Sequence, residues 1–83
     1  MHVLYFAWLR ERLGRAEEEV TPPASIGTVG ELMAWLDARE ARGASPFAGP
    51  GVIRAAVNQE FAGPETRLKD GDEVAFFPPM TGG

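Results

Sequence analysis

The spacing of the hydrophobic residues changes along the chain, and these changes predict where the first strands and helix lie. An aliphatic and aromatic run at residues 3–8 predicts a β-strand, and residues 9–13 predict a short charged turn of helix that stops at Gly14. A weaker alternation at residues 17–21 predicts a second strand, which the Pro22-Pro23 pair ends. The two strands should form an antiparallel hairpin, because a short connection suits that pairing.

Residues 28–42 carry the clearest helical pattern. Thr28 and Glu31 have the spacing of a capping box, in which each side chain bonds the backbone N–H of the other residue. Apolar side chains follow at the spacing of one helix face: Val29, Leu32, Met33 and Leu36. We expect the helix to end near Arg42, because Gly43 can adopt the left-handed conformation that closes a helix.

The second half of the chain predicts a loop and three extended segments. These are a surface loop at residues 44–51, a strand at residues 52–58, a short extended piece near Leu68, a tight turn at Asp70-Gly71 and a last strand at residues 73–77. Pro78 ends the last strand, because proline has no backbone N–H for the ladder. The predicted fold class is therefore α+β, a mixed sheet of four or five strands around one main helix.

Composition narrows the possible functions. The 83 residues, 45% of them hydrophobic, are enough for one core and therefore one domain. The net charge is −4 and the basic residues are scattered, so nucleic acid is not an expected partner. No apolar run is long enough to predict a membrane span or an export signal. The chain has no cysteine, which excludes disulfides, thiolate metal sites and a cysteine nucleophile.

The end of the chain is the segment with candidate chemistry. We expect a globular domain at residues 1–79 and an extended tail at residues 80–83, because consecutive prolines favour an extended backbone. Four extended residues reach roughly 13 Å, and glycines at positions 82 and 83 would fit a channel too narrow for a side chain. On the tail alone, a frayed end explains Gly82-Gly83 equally well. The preceding strand and proline pair favour a functional end.

The terminal carboxylate of Gly83 could carry sulfur in a protein without cysteine. A carboxylate is a poor electrophile, so it must first be converted into a mixed anhydride with AMP. A sulfur donor can then displace AMP and leave a thiocarboxylate, which is nucleophilic through sulfur as a thiolate is.

Three segments resemble the MoaD/ThiS family of ubiquitin-like sulfur carriers, and MoaD, the small subunit of molybdopterin synthase, most of all. They are YFAWLRE at residues 5–11, AAVNQ at residues 55–59 and LKDGDEVAFFPPMTGG at residues 68–83. The last is highly specific. Met80 departs from the family, where valine is most frequent, but both side chains are apolar.

The resemblance implies a β-grasp fold and a role for Gly83. An E1-like, MoeB-like adenylyltransferase would activate Gly83 with ATP and magnesium, and a sulfur donor protein would convert it to the thiocarboxylate. A MoaE-like large subunit, in a heterotetramer, would then transfer the sulfur to cyclic pyranopterin monophosphate to form the molybdopterin dithiolene. This chain would bind no cofactor or metal itself, would not be catalytic alone, and would act in the cytoplasm.

The partner interface should lie beside the tail. The first and last predicted strands are apolar on both faces, and one helix covers only one face of a sheet. The interface is expected at Phe76, Phe77, Pro78, Pro79, Met80 and Thr81, with Gly82 giving access to Gly83. Loops could cover the second face equally well.

Other functions remain open from the sequence. A thiamine-pathway or multi-pathway sulfur carrier would have the same glycine pair, and a ubiquitin-like protein modifier would join Gly83 to lysines. A binding module with an inert tail is the remaining alternative. His2 and the acidic residues at positions 17–19, 70, 72 and 73 form no convincing metal-ligand pattern.

Overall fold

A five-stranded sheet and two helices account for the regular elements in the part of the chain that the computed structural model describes, residues 1–40, 45–48 and 52–78. The elements are β1 (His2–Tyr5), α1 (Ala7–Leu13), β2 (Glu17–Glu19), α2 (Val29–Glu40), β3 (Arg54–Val57), β4 (Glu60–Ala62) and β5 (Glu73–Phe77). The strand order is β2-β1-β5-β3-β4, with β1 and β5 parallel and the other neighbours antiparallel. The sheet is therefore mixed.

The core lies between α2 and one face of the sheet. One cluster joins the inward side chains of the two parallel strands to the apolar face of α2: Val3, Tyr5, Val74, Phe76, Val29, Leu32 and Leu36. Alternate residues of a strand point to opposite faces, so this set leaves a second face for other contacts. The arrangement confirms the predicted α+β fold of the β-grasp type.

The predicted capping box begins α2. Oε1 of Glu31 accepts hydrogen bonds from the backbone N–H groups of Gly27 at 2.8 Å and Thr28 at 3.1 Å, while Oγ1 of Thr28 accepts one from Glu31 N–H at 3.2 Å. The bond from Gly27, with those from Thr28, holds the pKa of the Glu31 carboxyl below its usual value. The predicted end near Arg42 and Gly43 lies outside the described residues.

The first strand is shorter than predicted. β1 ends at Tyr5, and α1 begins at Ala7, whose backbone has a left-handed φ of +54°. Trp8 is therefore helical, and the Arg12 guanidinium lies 4.6 Å from the centre of its ring, a cation–π distance. Gly14 closes α1 as predicted, in the left-handed conformation and with its N–H bonded to Arg10 O.

The short fourth strand lies earlier than predicted. β4 is Glu60–Ala62, which forms a hairpin with β3 through a two-residue turn at Asn58 and Gln59. Both turn residues have positive φ, +50° and +71°, as a type I′ hairpin turn requires. The region near Leu68, where the sequence predicted an extended piece, contributes one isolated bridge between Arg67 and Thr28.

The last strand has its predicted bounds, and a structured turn leads into it. Gly71 has φ +87°, and the Asp72 carboxylate accepts hydrogen bonds from Lys69 N–H at 2.8 Å and from the Asn58 side-chain amide at 3.0 Å. These bonds, the one from Lys69 first, hold the pKa of Asp72 below its usual value. The turn therefore ties the start of β5 to the β3–β4 hairpin.

Candidate functional site at the end of the last strand

The last strand, which precedes the tail in the sequence, lies at the centre of the sheet. β5 has β1 on one side and β3 on the other, and the last residue of β5, Phe77, pairs with Arg54, the first residue of β3. On the β1 side, Phe6 N–H donates to Phe76 O at 3.2 Å. The exit of the chain after Pro78 is thus framed by the end of β1 and the start of β3.

Consecutive residues at this exit have opposite environments. Phe76 has 0% exposed surface and packs edge-on against Phe47, with ring centroids 5.7 Å apart. Phe77 is half-buried on the other face of the sheet, and Pro78 is buried. This corrects the sequence-based prediction for Phe76 and Pro78, because the Phe76 side chain has no surface to offer a partner and Pro78 has little. Of the described interface candidates, Phe77 is the one with accessible surface on the second face.

We call the second face of the sheet, opposite α2, the open face. Cα partners across the sheet share a face, so the pairs Leu4–Ala75, Ala75–Ala56 and Ala56–Phe61 place one apolar row across it. None of these side chains belongs to the core cluster of fully buried residues. The open face is therefore apolar through its centre.

Three phenylalanines lie on the open face near the tail exit, and we call Phe6, Phe61 and Phe77 the aromatic row. Phe6 is 46% exposed and Phe61 is 86% exposed. The rings of Phe61 and Phe77 have centroids 6.0 Å apart. Exposed aromatic side chains grouped in this way are typical of protein interfaces.

Charge is distributed unevenly over the open face. Arg54 is exposed beside Phe77, and no carboxylate of the described residues lies within ion-pair distance of it. At the opposite end, His2 lies between two carboxylates, with Nε2 2.8 Å from Glu17 and Nδ1 2.8 Å from Glu19. The hydrogen bond to Glu19, followed by the charge of Glu17, raises the pKa of His2. Among the described residues of the open face, the end near Pro78 is apolar beside the Arg54 cation, and the far end is ionic.

An apolar groove of about 700 Å³ opens beside the end of the sheet where β5 ends. It lies between α2 and the β3–β4 hairpin, and its lining includes Met33, Val52, Ile53, Arg54 and Phe61. The groove extends the apolar surface around the tail exit toward the edge strand β4.

The remaining predicted site residues lie outside the described part of the chain: Pro79, Met80, Thr81, Gly82 and Gly83. Within the described ranges, no group of three or more histidine, aspartate or glutamate residues is arranged to hold a metal ion. The helices of those ranges include none with the length and apolarity needed to cross a membrane.

The sequence alone did not single out three residues of this surface. The sequence pattern predicts Phe6 inside a longer first strand and predicts no regular element at Phe61. Arg54 carried no motif. The signal that could have found Phe61 is the Asn58-Gln59 dipeptide, because asparagine tolerates the positive φ of a hairpin turn and thereby predicts a strand directly after it.

Comparisons with known proteins cover nearly the whole chain. The ThiS family matches residues 3–83. A relative named molybdopterin synthase sulfur carrier subunit, from Escherichia coli strain K12, is 44% identical over 98% of this chain and 96% of its own. One with the same name from Haemophilus influenzae is 35% identical over 100% and 99%. The solution structure of small archaeal modifier protein 1 from Methanosarcina acetivorans superposes with a TM-score of 0.70 and 27% identity, over 99% of this chain and 94% of that one.

Proposed function

Because this chain belongs to the ThiS family, we propose that it is the sulfur carrier subunit of a molybdopterin synthase. The name shared by its bacterial relatives supports this assignment, since both align with nearly all of the chain. The observation that carries the proposal is the place where the last strand ends. The central strand β5 ends at Phe77, beside exposed aromatic side chains, and the sequence after Pro78 ends in Gly82-Gly83.

The reactive group is the carboxylate of Gly83. In the first step, a carboxylate oxygen attacks the α-phosphorus of ATP on an E1-like enzyme, and pyrophosphate leaves as the acyl-adenylate forms. Magnesium on that enzyme neutralises charge on the phosphates. The step is needed because the free carboxylate resists attack at its carbon.

The second step places sulfur on the chain. A sulfur donor protein delivers sulfur at the hydrosulfide level, HS⁻ attacks the Gly83 carbonyl carbon, and the C–O bond to AMP breaks with release of AMP and a proton. The product is a terminal thiocarboxylate, whose anionic sulfur is the donor in the final reaction. The acceptor is cyclic pyranopterin monophosphate, in which the transferred sulfur becomes part of the molybdopterin dithiolene.

The aromatic row is the surface on which the partners would dock. A large synthase subunit must hold the carrier with its tail inserted, and contacts at the root of the tail position the inserted end best. Phe77 and Phe61 provide apolar area there, and Arg54 adds a cation for an acidic residue of the partner. The same surface would serve the activating enzyme, so the two partners would bind in turn, and the carrier and large subunit would form a heterotetramer. An ATP-dependent cycle of this kind belongs in the cytoplasm.

A protein modifier is the second candidate function. Its support is the structural similarity to a small archaeal modifier protein. The activation step would be the same, but a lysine of a target protein would attack Gly83 and form an isopeptide bond. Intact-mass measurement of the cellular protein separates the two, because a carrier gains the mass of one oxygen-to-sulfur exchange and a modifier appears in covalent conjugates.

Reconstitution tests the main proposal. The chain is prepared chemically as its thiocarboxylate and mixed with a large synthase subunit and cyclic pyranopterin monophosphate, and dithiolene formation is measured. Product is expected from the thiocarboxylate and none from the ordinary carboxylate form.

Two altered ends serve as controls. Removal of Gly83, or addition of one residue after it, should abolish product while the circular dichroism spectrum stays that of the parent chain. An amide-capped chain should also be inactive. Sulfur transfer by the amide-capped form would mean that the terminal carboxylate is not the carrier group.

A further inference from the structure

The chain carries one lysine, Lys69; its other seven Lys/Arg positions are arginines, and it has no cysteine. An activated acyl group reacts with amines and thiols, whereas an arginine guanidinium stays protonated and does not compete as a nucleophile. Lys69 is therefore the side-chain amine that could capture the activated end of its own chain.

Lys69 lies at the end of the sheet where β5 begins. Its carbonyl accepts a hydrogen bond from Asp72 N–H at 3.1 Å, in the turn that leads into the strand. Lys69 and Met1 line the same cavity of about 470 Å³, and the Met1 amino group donates to Val20 O at 3.0 Å. Because β1 and β5 are parallel, with His2 paired to Glu73, both amines lie at the end where these strands start.

The tail leaves from the opposite end of β5. At about 3.3 Å per strand residue, the six steps from Asp72 to Pro78 separate the two ends by roughly 20 Å. The five residues from Pro79 to Gly83 span at most about 17 Å when fully extended. Both edges of β5 are paired, so a tail directed back toward Lys69 would have to cross the open face almost fully stretched. Two prolines at its root oppose that reversal.

We propose that the fold places the lysine of this chain where its own activated terminus arrives only when almost fully stretched, so that the acyl group passes mainly to a nucleophile brought by another molecule. The inference rests on the proposed function, since it assumes that Gly83 is activated. In the reaction that is disfavoured, a neutral lysine nitrogen would bond to the Gly83 carbonyl carbon. The C–O bond to AMP would break, and the amine proton would pass to solvent, leaving a cyclic chain.

Two arginines allow a matched test of position. Arg54 is exposed and pairs with Phe77, so R54K places an amine beside the tail exit. Arg67 is exposed in the segment before the turn that contains Lys69, and its bridge to Thr28 holds it there. R67K therefore adds an amine at the far end. The two variants have the same composition and the same number of lysines.

The measurement uses the full-length chain as a C-terminal thioester, made by intein cleavage, at mildly alkaline pH. Intact mass follows the cyclic product, which is lighter by one water than the hydrolysed chain. A short flexible segment gives an effective concentration in the millimolar range for an amine within easy reach, and one near zero for an amine that it cannot span. R54K is therefore expected to cyclise at least about tenfold faster than the parent chain or R67K.

Equal cyclisation rates in the three chains, including no cyclisation in any, would overturn the inference. A Gly83–Lys69 link in the parent chain at the R54K rate, identified by peptide mapping, would do the same. The proposed function is tested separately with an E1-like enzyme and ATP, using hydroxylamine to trap an acyl-adenylate as the hydroxamate. Failure to trap it would contradict activation of Gly83 and leave the thioester result unaffected.

Discussion

The rings of Phe61 and Phe77 lie 6.0 Å apart on the open face, although β3 separates their strands. The two side chains therefore form one apolar patch beside the tail exit. Phe61, at 86% exposed, gains little from folding and is free to bury its ring against another protein. The relationship makes the patch the first place to test partner binding.

Replacing Phe77 by Asp should weaken binding to the large synthase subunit by at least about 2 kcal/mol, as expected for an aromatic side chain at the centre of an interface. The introduced charge would have to be buried on docking. Isothermal titration calorimetry measures the loss, and the thermal midpoint of the isolated variant should stay close to that of the parent chain.

The neighbouring residue is the control for this variant. Phe76→Ala should lower the free energy of unfolding by about 3–5 kcal/mol, because it empties a core position with no exposed surface. If F77D unfolded as F76A does, Phe77 would be a core residue and the open face would lose its role as the docking surface.

The capping box of α2 should make a measurable contribution to the free energy of unfolding. Thr28→Ala removes the oxygen that accepts the Glu31 N–H and should cost about 1 kcal/mol in urea unfolding. Ser25→Ala is the matched control, because Ser25 is exposed and precedes the helix, and it should change stability little. Equal effects of the two substitutions would show that the capping bond contributes nothing.

The elements predicted well are those whose signals are local. A capping box and helical spacing identified the start of α2, and a tight turn and a proline bounded β5. The strand boundary at Tyr5 was missed because Ala7 adopts a left-handed φ that no local propensity favours. β4 was missed because its three residues show too little alternation to be read as a strand. Tertiary pairing with β3, which is invisible in the sequence, decides that segment.

The β3–β4 turn holds strain that a glycine should relieve. Gln59 has φ +71°, which is unfavourable for a residue with a Cβ, so Gln59→Gly should raise the free energy of unfolding by about 0.5–1 kcal/mol. Asn58→Gly should have the opposite effect, because the Asn58 side chain bonds Asp72 and the backbone N–H of Glu73. Stabilisation by both glycines would mean that those two bonds are unimportant.

His2 should make stability depend on pH. A neutral imidazole has one N–H, so contacts of both ring nitrogens with Glu17 and Glu19 favour the protonated ring, and the pKa of His2 is raised from 6.5. A raised pKa gives stability that is fully present below pH 6.5 and is lost as pH rises through the folded-state value. Thermal midpoints measured across this range should fall with rising pH, and His2→Gln should flatten that part of the curve. An unchanged slope in the variant would assign the effect to another group.

The candidate site, like the fold, has features that the sequence predicts and features that depend on tertiary pairing. The glycine pair and the prolines were visible in the sequence, because their chemistry depends on the residues themselves. The aromatic row was not, since Phe61 and Phe77 lie on different strands, Phe6 follows the end of β1, and pairing across the sheet brings the three together. Phe76 is buried and Phe77 is partly exposed because α2 covers only one face of the sheet. The residues of β5 are apolar on both faces, so the sequence does not show which face is covered.

The parallel pairing of β1 with β5 has a mechanical consequence. A pull on the tail, as when a carrier is withdrawn from a tight channel, acts along the axis of β5. The ladders to β1 and β3 are then loaded in shear, and their hydrogen bonds must break together instead of one after another. The carrier should therefore resist extraction forces and leave its partner still folded, ready for another round.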